Sequence, residues 1–179
     1  MPRLERAQLS ATLKDGIFDQ GKISGTILGG ALELTAGSSS KNTVPVALTI
    51  NNADLGEGAA WLGSAILTGR ADLRANLMLP ASRATGSPIV LSGTVEIAGT
   101  GGIIDGIDLA AMRQVLRNDD TPADIVALLG AGLDSGATPY RHLTSKGHFA
   151  AGTFQLDTLR IATDFGVIEG AFQANLDRP

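Results

Sequence analysis

Apolar and polar side chains alternate one by one along most of this chain. The clearest case runs over 67–79. Leu67, Gly69, Ala71, Leu73, Ala75, Leu77 and Leu79 fall on one side, and Thr68, Arg70, Asp72, Arg74, Asn76 and Met78 on the other. Successive strand side chains point to opposite sides, so the segment reads as a half-buried strand. At ~3.3 Å per residue it would span roughly 43 Å. A strand that long, apolar on one side, implies a wide antiparallel sheet with one wet face.

Other segments follow the same rule. Val44, Val46, Leu48 and Ile50 alternate with polar or small neighbours, as do Leu32 and Leu34, then Leu91, Gly93, Val95 and Ile97, then Phe172, Ala174 and Leu176. Turn residues separate the runs: Asp15-Gly16, Gly29-Gly30, Gly37 to Asn42, Gly101-Gly102 and Gly152. Residues 13–36 and 147–177 share a skeleton of strand, glycine turn and returning strand. That echo is either a stacking β repeat or the common look of any two meanders.

Three short stretches carry helical spacing. Over 54–62, Asp54 is placed to cap, Glu57 follows three residues later, and Leu55, Ala59 and Leu62 share a side. Over 108–117, Asp108 caps a stripe of Leu109, Met112, Val115 and Leu116. Over 122–133, Thr121 caps, Pro122 opens the first turn, and Ile125, Leu128 and Leu129 recur. Helices this short need a sheet to pack on. The expected fold is therefore mainly β with a few short helices: a wide, curved antiparallel sheet whose apolar face the helices partly cover. Its 179 residues suit a single domain over 1–179.

Composition narrows the function. Glycine is abundant, at 23 residues, and aromatics are scarce, at 4%, so the core is aliphatic and the chain turns often. Net charge is −4 and the arginines are scattered, which argues against nucleic acid. With no cysteine, disulfides, thiolate metal sites and thiol nucleophiles are excluded. No apolar stretch follows Met1-Pro2-Arg3-Leu4-Glu5-Arg6, and no run of about 18 apolar residues occurs, so neither a signal peptide nor a spanning helix is expected.

Candidate chemistry is thin. His142 and His148 fall on the polar side of a strand over 141–151, roughly 20 Å apart, too far to share a metal. Asp105, Asp108, Asp119, Asp120 and Asp124 cluster in sequence, but Asp108 and Asp124 sit where helices start and are explained by capping. A carboxylate pair acting on sugars would need aromatic platforms, and the chain has one Trp and one Tyr. The runs Gly99-Thr100-Gly101-Gly102 and Gly130-Ala131-Gly132 lack the Lys-Ser/Thr ending of a phosphate loop. The reading is a non-enzymatic protein with no metal or cofactor. What remains is an apolar sheet face in which small residues alternate with large ones. Either the helices seal it, or a groove stays open for a ligand or partner.

The order of motifs from Leu91 onward resembles the C-terminal region of the AsmA family. The residues that carry the likeness are Leu91 to Thr94, Gly106 to Leu109, Thr138 to Leu143, Gly147 to Phe149, and Gly166 to Asp177. Upstream, LKDGIF at 13–18 and ALTINNADLGEGAAWLG at 47–63 look like the family's preceding repeats. The likeness is sharpest over 89–177, with 1–88 supplying upstream β segments and one short helix.

The resemblance implies a periplasmic domain of an inner-membrane-anchored protein acting in outer-membrane biogenesis, with phospholipid moving along an apolar β-groove. It implies an N-terminal anchor. This chain shows none and ends at Pro179, as expected of a piece of a longer protein. The partners so implied are phospholipid, the rest of the parent chain and the inner membrane. Leu67, Leu73, Leu77, Leu79, Val95 and Ile97 are the expected apolar lining. The rival expectation is an interaction or capping module that docks a partner by an edge strand and binds no lipid.

Overall fold

The computed structural model of the chain describes residues 3–15, 17–39, 42–61, 66–81, 91–115 and 136–175. Among these, nine strands form one sheet: β1 (Glu5–Lys14), β2 (Ile17–Ile27), β3 (Gly30–Gly37), β4 (Thr43–Asp54), β5 (Arg70–Pro80), β6 (Ser92–Asp105), β7 (Ala137–Ala150), β8 (Thr153–Thr163) and β9 (Val167–Asn175). The strands lie in sequence order and every neighbouring pair is antiparallel. The sheet is curved and does not close on itself. Two short helices, α1 (Leu55–Trp61) and α2 (Leu109–Val115), interrupt the meander after β4 and after β6. Both follow even-numbered strands, so both stand at the same end of the sheet.

Local chemistry explains the connections. Leu28 and Gly29 take φ of 51° and 65°, and Ala151 and Gly152 take 48° and 75°. Paired positive φ values define the two-residue turn whose twist matches that of the strands it joins. α1 begins where Asp54 Oδ1 accepts the Glu57 N–H at 3.1 Å, and α2 where Asp108 Oδ1 accepts the Ala111 N–H at 2.8 Å. These are the expected caps. The buried Thr138 ties α2 to the sheet, since its Oγ1 accepts from Leu109 N at 3.0 Å and donates to Ile107 O at 2.5 Å.

Two sequence expectations change. The strand expected over 67–79 begins at Arg70. Gly69, at φ 120°, bends the chain, and Leu67 makes only an isolated bridge to Ile104. The expected turn at Gly101-Gly102 is not a turn, because β6 runs through it to Asp105. Gly102 is there for close approach instead: a Cβ on it would lie 2.0 Å from Thr68 O and 2.6 Å from the Tyr140 hydroxyl. The helices expected over 54–62 and 108–117 form over Leu55–Trp61 and Leu109–Val115, and the stretch over 122–133 lies outside the described residues.

The best-buried core sits at the helix end. Ile104, Tyr140, Leu143 and Ile161 are buried together, with Leu67, Ile97, Ile107, Leu159 and Ile168 packed against them. The Tyr140 hydroxyl donates to Thr68 O at 2.7 Å, which fixes the residues just before β5 against β7.

Candidate functional site

Register turns the alternation into rows that cross the whole sheet. One row of directly paired residues reads Leu9, Ile23, Leu34, Leu48, Ala75, Val95, Gly147, Leu156 and Phe172, one from each strand. Not one is polar. A parallel row on the same face runs from Ala11 through Val46, Leu77 and Phe149 to Ala174 and is equally apolar. On the opposite face the row between them reads Ser10, Lys22, Thr35, Ala47, Asn76, Thr94, His148, Gln155 and Gln173. Nine strands at ~4.8 Å spacing give the apolar face a width of roughly 38 Å along its curve.

The residues named from sequence fall here as follows. Leu73 pairs with Ile97, Val95 with Ala75, Leu77 with Gly93, and Leu79 with Val44. These five share the apolar face and are half-buried. Leu67 stands apart from them, outside the strand and against the core at the helix end. Sequence reasoning missed a cluster of phenylalanines at the other end. Phe149 and Phe154 have ring centroids 4.8 Å apart, and Phe172 meets Phe154 edge-on at 6.0 Å. The signal was present: a two-residue turn at Ala151-Gly152 places positions 149 and 154 opposite one another.

The polar face is held by cross-strand ion pairs. Lys22 meets Glu33 at 2.8 Å, Lys146 meets Glu96 at 2.9 Å, and Arg160 is bonded to Glu169. All are exposed, so each contributes at most about 1 kcal/mol. A shallow hollow over this face is lined by Asp72, Arg74, Glu96 and Lys146. His142 and His148 both lie on this face, as expected, and His148 Nδ1 contacts Asp157 Oδ2 at 2.9 Å. Asp108 is a helix cap, while Asp119, Asp120 and Asp124 lie outside the described residues. Among the described residues no three metal-binding side chains gather, and no helix is long and apolar enough to cross a membrane.

Burial pushes the Tyr140 hydroxyl above its ordinary value of 10.0. A raised folded-state pKa means stability is fully present below the unfolded value and is lost as pH rises through the folded one. Stability is thus expected to stay level with respect to this group at neutral pH and to fall above about pH 10. Because this is the only tyrosine, its ionisation is read directly from tyrosinate absorbance. Tyr140→Phe should remove that part of the alkaline decline. An unchanged decline in the variant would show that another group drives it.

Comparison with protein-family profiles, with curated proteins and with solved structures finds no match for this chain.

Proposed function

We propose that this domain is a non-enzymatic lipid-shielding trough: a periplasmic part of an AsmA-like, inner-membrane-anchored protein that helps carry phospholipid to the outer membrane. The observation that supports it most is the pair of apolar rows crossing all nine strands, backed by a polar row. Each buried CH₂ gains ~0.8 kcal/mol, so an acyl chain needs only aliphatic lining and no directed polar group. The resemblance to the AsmA family supplies the envelope setting.

The test is to purify the domain, identify co-purified phospholipid by mass spectrometry, and titrate a photo-crosslinkable phospholipid. Leu73→Asp with Leu77→Asp places two charges on the lining. It is expected to weaken lipid binding roughly a hundredfold, since losing two leucine contacts costs about 3 kcal/mol. Arg74→Asp, on the same strand but facing the other way, serves as the control and should bind normally. A folded wild-type domain that carries no lipid and crosslinks none would favour the edge-docking module instead.

A further inference from the structure

The two outer strands of the sheet differ in how they meet solvent. β1 is interrupted by a register shift between Glu5 and Gln8, where Arg6 takes φ 52°, and it ends on Lys14. Bulges and lysines are the usual means of keeping an edge from pairing. β9 has neither. Its sequence VIEGAFQAN contains no proline and no lysine, and its one charged side chain, Glu169, is held by Arg160. The irregularity between β8 and β9 falls on β8, where two residues separate Leu156 from Leu159 while one separates Gly170 from Phe172.

The side chains of β9 also fit their own reverse. Ile168, Gly170, Phe172 and Ala174 lie on the apolar face. Turned about Ala171, Ile168 comes opposite Ala174 and Gly170 opposite Phe172, so each pair matches a large residue with a small one. On the polar face Glu169 meets Gln173, and no like charges face each other. Moving the centre by one residue sets Ile168 against Phe172, or Phe172 against itself, and half-residue centres would turn the apolar face outward.

Gly170 gives the second argument. A Cβ there would touch only Leu159 Cδ2, at 3.9 Å, and its φ lies outside the left-handed region. Among the described residues nothing requires glycine there, although glycine weakens a strand interior. Elsewhere in this sheet glycines lie beneath aromatic rings: Phe154 covers Gly147 and Phe18 covers Gly21. The outer edge of β9 presents the same parts among the described residues, with Phe172 still 55% exposed.

We propose that two copies of this chain join by antiparallel β9–β9 pairing about a two-fold axis through Ala171, each Phe172 covering the other copy's Gly170. The two sheets become one, with their apolar faces on the same side. This holds whatever that face carries.

The chain has no cysteine, so Ala171→Cys introduces a single thiol. Directly opposed residues in such a ladder have Cα atoms about 4.5–5.5 Å apart, within disulfide reach. Mild oxidation should link Ala171→Cys into dimers. Glu169→Cys and Gln173→Cys should crosslink to each other on mixing but not to themselves, being offset by roughly 13 Å. In analytical ultracentrifugation the wild type should dimerise. Gly170→Leu should weaken the dimer at least about tenfold, and adding Phe172→Ala should restore it by moving the large residue across the axis. A monomeric wild type, a dimer that Gly170→Leu leaves intact, or equal crosslinking through Leu9→Cys on β1 would overturn the proposal.

Discussion

Adding one methyl group at Gly93 is expected to cost this protein roughly 2–6 kcal/mol. Gly93 sits on β6 between Leu77 of β5 and Phe149 of β7, and its φ is 138°. A Cβ there would lie 2.0 Å from Asn76 O and 2.8 Å from Leu77 Cα. Those atoms are backbone of a central strand and have no rotamer to change. A side chain forced into such a φ costs about 1–3 kcal/mol, and overpacking adds about 1–3 more. Gly101→Ala is the matched comparison, because at φ 60° that site has nothing within 4 Å. There only the left-handed backbone is charged, at about 1–2 kcal/mol. Urea unfolding of both variants checks the pair. If Gly93→Ala proves no worse than Gly101→Ala, the close approach of β5 and β6 is wrong.

Truncating Tyr140 to alanine should have an effect of similar size by the opposite route, a void instead of a clash. The ring is 3% exposed and fills the space that Gly69 and Gly102 leave open. Removing a buried aromatic typically costs about 3–5 kcal/mol. The Thr68 carbonyl also loses its 2.7 Å bond. For a chain of this length that loss lowers Tm by roughly 6–20 °C. The damage should be local first, with faster amide exchange at Thr68 and Ile103, whose bonds hold the segment before β5 to β6. A Tm change under about 3 °C would mean that Tyr140 does not anchor this end.

Why the sequence reveals some of this and hides the rest is a matter of range. Alternation at Leu73, Ala75, Leu77 and Leu79 is local information, and it names the apolar face of β5 correctly. The caps at Asp54 and Asp108 are equally local. Gly101-Gly102 misleads because its purpose lies in Tyr140, distant in the chain, and a glycine pair looks the same whether it turns or admits a ring. Leu67 fits the alternation but loses the strand to Gly69 at φ 120°. The rows across the sheet needed more than periodicity. They depend on bulges, such as the one at Asn51 and Asn52, where Asn52 takes φ 58° and donates its N–H to Asp72 Oδ1 at 2.8 Å. Each bulge resets which residues stand opposite, and composition does not announce them. The shared face of Leu73, Leu77, Leu79, Val95 and Ile97 was legible for that reason, and the phenylalanine cluster became visible only once the hairpin register was fixed.

Strand order here has an evolutionary consequence. Among the described residues each strand bonds only to those before and after it in the chain, so no strand threads between two others. Duplicating or losing a hairpin restores the chain's direction and leaves the remaining ladder whole, as in stacked-repeat proteins. Relatives of this architecture should differ in size by whole hairpins, and under mild denaturation each should peel from its rims toward the middle.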